Sequence, residues 1–432
     1  MKKSNIPFQE DFLHYVWKTK QINLQNLTTT DHKKIEILDY GRHNYDAGPD
    51  FLNALIKIGE TVWAGNIEIH LLSSDWIKHQ HNEDEAYNNV ILHVVYHHDQ
   101  DIKIDHHVVP CLCLKNKIPK VLIQRFLILQ SSPLKIPCAK MLPEIGQEIF
   151  NLWKDGLMTE RLQQKQNFIL PLLEKYTYDW ETVFYILLAR YFGGKVNDIP
   201  FETLAEKTPI DLIRKNRFDD VLIQSLFYGQ AGFLNEICDS GYPCLLQDKY
   251  QFLQKKYGLS PSSIISWKFS KLRPPNFPTV RIAQFSSLLT KNVSLFSALL
   301  TCNSVEEMHK VLTVETHEYW KNHYRFGKAS PPSSKSLTTS FKNILIINAF
   351  LPLAFIFSQK YGLTEKKDWV LDILSHIKPE YNQYISKWQQ LGLYVQSALE
   401  SQSLLQLTSA YCEKKLCLTC KIGHKIVSCN PK

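Results

Sequence analysis

Three features that would fix a cellular class are missing from this sequence of 432 residues. No apolar stretch follows the lysines within residues 1–7, so a signal peptide is not expected. The most hydrophobic runs, 183–189 and 344–357, are too short or too interrupted to cross a membrane. Ten cysteines are spread too unevenly for a disulfide framework. We therefore expect a reduced, cytoplasmic protein with no membrane partner.

The chain also lacks internal repeats, low-complexity tracts and a glycine-rich phosphate loop, because the glycines within 227–233 have the wrong spacing to cradle a phosphate. A composition of 44% hydrophobic and 21% charged residues is typical of globular proteins. The length exceeds that of one compact core, so two or three domains are expected. The net charge of +8 is compatible with a polyanionic partner such as DNA or RNA, and equally with a need for solubility.

Hydrophobic periodicity separates a short α/β part from a long helical part. Residues 8–18 have the spacing of an amphipathic helix, and a second helix is predicted to begin near Ser73. Strands are predicted at 35–40, 50–58, 62–70 and 90–96. Helical patterns dominate from about residue 145. We predict an α+β fold with a mixed-sheet α/β domain at 1–125, a helical region at 126–327, and a helical C-terminal region with clustered cysteines at 328–432.

The hairpin formed by the second and third strands carries most of the chemical signal. Asp50 opens its first strand, and Glu68 and His70 close its second, where alternate residues share a face. A three-residue turn, or a bulge for which Gly65 is a plausible place, brings Asp50 beside the other two. Paired carboxylates bind a cation or shift their pKa values, and oxygen ligands suit Mg²⁺ or Mn²⁺. A solvated strand face is the alternative interpretation.

The Pro-Asp pair at 49–50 and the Glu-Ile-His triplet at 68–70, in this order of elements, resemble the PD-(D/E)XK nuclease superfamily. The resemblance implies four catalytic residues, Glu10, Asp50, Glu68 and His70. It also implies a Mg²⁺ or Mn²⁺ ion bound by Asp50, Glu68 and the Ile69 carbonyl. His70 stands where the superfamily has lysine, and a histidine can act as a general base near neutral pH. The implied function is a metal-dependent nuclease, and the alternative is an inactive nuclease-like scaffold or nucleic-acid-binding protein.

Over nearly its full length the chain resembles an uncharacterised domain-of-unknown-function family. The resemblance is carried by the blocks AGPDF, GNIEIH, SSDW, NVILHVV and RPPNFP. It implies a shared fold and no established activity.

Eight of the sixteen histidines lie between residues 70 and 107, which offers a rival metal site. Zinc bound by His70, His79 or His81 together with Asp84 would make the protein a zinc-dependent hydrolase. On one helix His79 and His81 would diverge by about 200°. His93 lies within the most apolar predicted strand, so we expect it to be a hydrogen-bonded residue of the core or of a cleft.

A second possible metal site lies near the C-terminus. Cys412, Cys417, Cys420 and His424 follow the pattern C-x4-C-x2-C-x3-H, with Cys429 as a further option. In a reduced compartment such a density of thiols favours a metal over disulfides. Zn²⁺ or an iron–sulfur cluster would fit, the latter being found in some PD-(D/E)XK nucleases. The alternative is a thiol-rich helix end that binds no metal.

Overall fold

The computed structural model describes residues 6–104, 107–142, 146–235, 241–261, 266–292 and 294–428. The strands are β1 (Ile35–Asp39), β2 (Arg42–His43), β3 (Phe51–Ile58), β4 (Thr61–Leu72), β5 (Val90–His97), β6 (Lys103–Ile104), β7 (His107–Val108), β8 (Cys111–Cys113), β9 (His323–Arg325) and β10 (Lys328–Ala329). The α-helices are α1 (Glu10–Lys18), α2 (Asp75–Lys78), α3 (Lys120–Ser131), α4 (Gly146–Lys175), α5 (Trp180–Lys207), α6 (Ile210–Asn216), α7 (Asp220–Gln230), α8 (Tyr242–Tyr257), α9 (Pro278–Lys291), α10 (Leu295–Leu300), α11 (Val305–Val311), α12 (Thr339–Leu345), α13 (Leu351–Lys360), α14 (Thr364–His376), α15 (Gln383–Gln390), α16 (Ala398–Gln406) and α17 (Lys421–Ser428). Two π-helical segments, Ile346–Phe350 and Leu407–Cys412, continue α12 and α16.

A mixed sheet near the N-terminus, followed by a mostly helical region, confirms the predicted combination of α and β structure. The six-stranded sheet has the order β1-β3-β4-β5-β8, with β2 pairing with β3. Strand β4 pairs with β3 in antiparallel and with β5 in parallel orientation. Residues 90–95 of β5 are all buried, because β5 lies between two parallel neighbours and both of its faces are covered.

Helix α1 packs its apolar face toward the sheet. Phe12, Val16 and Trp17 are fully buried, as the spacing of apolar residues in 8–18 predicted. The Phe12 ring stacks on Phe126 of α3 with ring centroids 4.6 Å apart. Since α1 contacts β4, the polar residues on the adjoining face of α1 lie near the end of the predicted hairpin.

The described residues divide into two compact units. The first comprises 1–153, 387–394 and 407–432, and the second comprises 154–386 and 395–406. The predicted boundaries at 125 and 327 do not coincide with this division. In the first unit Arg125 of α3 donates a hydrogen bond to the Ile426 carbonyl of α17 at 3.2 Å, which ties the C-terminal helix to the N-terminal domain. In the second unit Lys335, which follows the predicted boundary at 327, is only 4% exposed.

Both hydrophobic runs of the sequence belong to the core of the second unit. Residues 183–189 are all buried in this core, together with most of the stretch 345–356. The helical stretch Thr339–Lys360 is longer than the run 344–357 suggested, because the π-helical segment carries the helix onward. It is long and apolar enough to cross a membrane, and 72% of its most apolar window lies inside the protein.

Candidate metal centre

The turn of the β3–β4 hairpin sets the initial register of its two strands. Ile58 pairs with Thr61 across a two-residue turn in which Gly59 has a φ of 61°. Continued without a break, this register would place Asp50 opposite Ile69. A backbone irregularity is therefore needed to bring Asp50 onto the face of the glutamate.

The irregularity is a bulge in β3. Asn53 adopts a left-handed conformation, with a φ of 58°, and the pairing shifts by one residue between Phe51 and Ala54. As a result the Asp50 N–H donates a hydrogen bond to Oε2 of Glu68 at 3.2 Å. The predicted bulge exists, but it lies at Asn53 in β3 and not at Gly65 in β4.

Asp50 bridges the sheet and helix α1. Its Oδ2 accepts a hydrogen bond from the Ile69 N–H at 2.9 Å and lies 3.2 Å from Nε2 of His14. Burial opposes the charged form of His14, but its hydrogen bond to Asp50 raises its pKa overall. The Ile69 N–H is thus bound by Asp50, and the Ile69 carbonyl as a metal ligand stays a prediction.

Glu10 lies one turn before His14 on the same face of α1. Burial raises its pKa, an effect that the nearby His79 and a hydrogen bond from the Leu71 backbone partly offset. The structure therefore brings three of the predicted site acids, Glu10, Asp50 and Glu68, into one region around the end of β4.

Three histidines form the densest group of potential metal ligands at this place. One ring nitrogen each from His70, His79 and His81 lies within 4.8 Å of the other two. Nε2 of His70 is 3.1 Å from Nδ1 of His79. Oε1 of Glu68 lies 3.4 Å from Nε2 of His70 and 3.3 Å from Nε2 of His81. A tetrahedral ion with bonds of about 2.0–2.1 Å separates its ligand atoms by about 3.3–3.4 Å, so these spacings fit such an ion.

The convergence of His79 and His81 differs from the divergence predicted for one helix. Helix α2 ends at Lys78, and Gln80 between the two histidines has a left-handed φ of 62°. His81 begins a separate 3-10 turn, where its ring stacks on Tyr87 at 3.9 Å between centroids. The two rings therefore turn to the same side. The centre opens to solvent at the exposed His79.

Asp84, the predicted companion of these histidines, does not join them. Its exposed side chain accepts a hydrogen bond from the Ala86 N–H at 2.9 Å and so caps the second 3-10 turn. Asp84 has the role of a structural cap.

His93 fixes the orientation of His70 from the neighbouring strand. It pairs with Glu68 across the parallel β4–β5 ladder, and its Nε2 lies 2.9 Å from Nδ1 of His70. When Nδ1 of His70 donates this hydrogen bond, Nε2 keeps its lone pair for a metal. His93 is thus a hydrogen-bonded residue of the core, as the sequence predicted.

Burial keeps the centre close to electrical neutrality when no cation is present. Burial, reinforced by the charge of Asp50, raises the pKa of Glu68 to about 9. Burial and the surrounding histidines lower the pKa of His70 to about 2, and that of His93 falls to about 3 mainly through burial. Neutral imidazole is the form that binds metals, and a bound cation would favour the charged form of Glu68.

The C-terminal cysteines are buried together in the first unit, and the structure adds a fourth to them. Burial raises the pKa of the Cys412 thiol. The nearby thiols of Cys138, Cys420 and Cys417 raise it further. The Cys420 sulfur accepts a hydrogen bond from the Gly423 N–H at 3.5 Å, at the beginning of α17.

His424, the predicted fourth ligand, is turned to another partner. Its Nδ1 lies 2.9 Å from the hydroxyl of Tyr15 in α1. Cys138 instead interacts electrostatically with Cys417 and Cys420, but among the described residues no three of these sulfurs lie within 4.8 Å of one another. Cys429 lies outside the described residues.

Sequence reasoning missed His14 and Cys138. The spacing of four residues between Glu10 and His14 on a predicted helix was an available signal, since such residues share a face. No spacing in the sequence connects Cys138 with cysteines more than 270 residues away. Only the return of the chain to the first unit brings them together.

Gly65 provides the close approach of β4 to the beginning of β5. A Cβ at this position would lie 2.5 Å from Cγ2 of Ile91 and 2.6 Å from the Asn89 carbonyl oxygen. We expect Gly65→Ala to lower the free energy of unfolding by about 1–3 kcal/mol, because the strands must separate to admit the methyl group. Urea unfolding measures this change, and an unaltered midpoint would contradict the close packing at Gly65.

Comparison with known proteins identifies the family. The family described as "Protein of unknown function (DUF2851)" matches residues 10–383, a range that contains every residue of the histidine-rich centre. No curated protein and no solved structure matches the chain. The resemblance to PD-(D/E)XK nucleases is not among these findings and stays a prediction. The predicted membership of a domain-of-unknown-function family is confirmed, and the chain belongs to the DUF2851 family.

Proposed function

We propose that this protein is a metal-dependent hydrolase whose histidine-rich centre cleaves phosphodiester bonds in nucleic acid. One observation carries the proposal: ring nitrogens of His70, His79 and His81 lie within 4.8 Å of one another, with the Glu68 carboxylate in contact with two of them. Groups of this kind in a partly open site are typical of catalytic metal centres.

The ligand set favours Zn²⁺ or Mn²⁺ over Mg²⁺. Imidazole nitrogen suits the transition metals, whereas Mg²⁺ prefers oxygen ligands and retains much of its water. The proposal thus joins the nuclease interpretation, with its acids Asp50 and Glu68, to the zinc-hydrolase interpretation, with its histidines.

The residues around the centre have separable roles in this proposal. A metal held by the three histidines would lower the pKa of a bound water. Glu68, which contacts His70 and His81, would be the proton acceptor for that water. A hydrogen bond donated by Nδ1 of His70 to His93 would leave Nε2 of His70 for the metal. The Asp50–His14 pair, at 3.2 Å, supplies a second group able to hold a proton next to Glu68.

Nucleic acid is the substrate class that the remaining observations favour. The net charge of +8 suits a polyanionic substrate. The blocks at 49–50 and 68–70 resemble a nuclease signature. They supply Asp50, which bonds to Glu68, and Glu68, which contacts His70. An inactive scaffold or nucleic-acid binder is the alternative, and it predicts binding without cleavage.

The test is hydrolysis of single-stranded DNA, duplex DNA, RNA and bis(p-nitrophenyl) phosphate by protein loaded with Zn²⁺, Mn²⁺ or Mg²⁺. We expect cleavage with Zn²⁺ or Mn²⁺, and a rate lower by at least about a hundredfold in Glu68→Gln, because the proton acceptor is lost. Glu60→Gln is the matched control, since the Glu60 side chain is fully exposed at the turn of the same hairpin. Absence of cleavage with all three metals, or equal rates for both variants, would overturn the proposal.

A further inference from the structure

A pocket of about 330 Å³ lies in the second unit between helices α4 and α5. Its polar lining includes Arg161, Gln164, Lys165 and Arg190, and its apolar lining includes the ring of Phe168. All of its lining residues belong to the second unit, whereas the histidine-rich centre belongs to the first. The pocket therefore needs an explanation of its own.

Two half-buried cations in this pocket have only neutral partners. Nζ of Lys165 donates to the Ile347 carbonyl at 3.4 Å and to Oδ1 of Asn348 at 3.0 Å. Nε of Arg161 donates to Oε1 of Gln402 at 2.6 Å. Within the described ranges of the chain, no carboxylate oxygen lies within 4.0 Å of either cationic group.

Arg190 differs from these two cations, because acids compensate its charge. Its guanidinium lies 3.1 Å from Asp198 and also bonds to Glu202. Glu380 attracts both Arg161 and Lys165, but only from beyond ion-pair distance. The pocket thus has two positive charges close together and one acid farther away.

Placing two like charges in a half-buried pocket opposes folding unless something offsets them. Burial, followed by the charge of Arg161, lowers the pKa of Lys165 to about 7. The Lys165 amine is held by two residues of the π-helical segment Ile346–Phe350, a type of helix irregularity that is frequent at functional sites. An anion between the two groups would supply the missing negative charge.

We propose that this pocket binds a small organic phosphate, with the phosphate group between Arg161 and Lys165. Arginine and lysine are the side chains that proteins use most for phosphate, and two positive charges match a dianion. The volume lies at the small end of the range of about 300–1,000 Å³ for small-molecule sites and leaves room for a modest organic group. The Phe168 ring provides an apolar wall for that group. The pocket and the metal centre are independent sites, so either proposal can fail without the other.

The experiment compares Gln164→Glu with Gln163→Glu, using inorganic phosphate and phenyl phosphate as probes. Both glutamines are exposed on α4 and both changes add one negative charge, but only Gln164 lines the pocket. We expect both probes to raise the Tm of the full-length protein above that in chloride of equal ionic strength, and phenyl phosphate to bind more tightly. The Gln164→Glu variant should bind at least about tenfold more weakly through charge repulsion, and the Gln163→Glu variant should bind normally.

A Lys165→Met variant provides a second measurement, with binding expected to be lost. If this variant does not fold, the exposed position of Gln164 keeps the first comparison valid. A phosphate effect no larger than that of chloride, or equal weakening in the two glutamate variants, would overturn the proposed site. If phenyl phosphate binds no more tightly than inorganic phosphate, the proposal that the ligand carries an organic group is wrong.

Discussion

Protein carrying both His79→Ala and His81→Ala is expected to lose the metal of its histidine-rich centre. Two of the three ring nitrogens that lie within 4.8 Å of one another would be gone, leaving His70 as the one histidine of this group. Hydrolysis should fall by at least about a hundredfold, because the bound water loses the ion that acidifies it. Elemental analysis of dialysed protein and the rate with bis(p-nitrophenyl) phosphate measure the two effects.

The folded state should survive this double change. His79 is exposed and His81 is half-buried, so neither ring belongs to the sheet core. The matched control is His97→Ala combined with His107→Ala, which removes two exposed imidazoles from the same unit. Full metal content and full activity in the His79/His81 variant would show that these nitrogens do not bind the functional metal.

The second large effect is expected at the C-terminal thiols, where we propose a structural metal bound by Cys138, Cys412, Cys417 and Cys420. Cys138→Ser should remove this metal and lower the Tm by several degrees, because the energy of binding a structural metal contributes directly to folding. His424→Ala should retain the metal, since Nδ1 of His424 bonds to Tyr15 at 2.9 Å. Elemental analysis and thermal unfolding distinguish the two variants.

Cys302→Ser is the control for this experiment. Cys302 is a free, buried thiol of the second unit, so its replacement carries a similar packing cost without touching the cluster. We expect two metal ions per chain in the unmodified protein and one in Cys138→Ser. Retention of both ions in Cys138→Ser would exclude Cys138 as a ligand, loss of one ion in His424→Ala would support the sequence-based assignment of His424, and a single ion in the unmodified protein would exclude the second metal.

The alternation of residues along a strand was enough to predict that Glu68 and His70 lie on the same face of the sheet. Strand alternation is a property of neighbouring residues, so it can be read from the sequence. The left-handed conformations of Asn53 and Gln80 could not be read in this way, although they decide where Asp50 and His79 point. Both positions are polar residues without the glycine that usually marks such a conformation.

The predicted boundaries at 125 and 327 differ from the division into two compact units for another reason. The serine- and proline-rich stretch 328–336 has the composition of a linker, yet Lys335 within it is buried in the second unit. Contacts between α3 and α17 join residues about 300 positions apart, as with Arg125 and Ile426. The composition of a short stretch indicates only whether that stretch favours solvent. The contacts between α3 and α17 depend on the three-dimensional path of the chain.

The division of the first unit into three chain segments has a consequence for biosynthesis. Its N-terminal segment ends near residue 153, but its last segment begins only at residue 407. At synthesis rates of about 5–20 residues per second, roughly 10–50 s separate the emergence of these two segments from the ribosome. During that interval Cys138 has no thiol partners from 412–420, and α3 lacks the surface of α17. The second unit is complete once residue 406 has been made, before the last segment of the first unit, so it can fold while the first unit still lacks that segment.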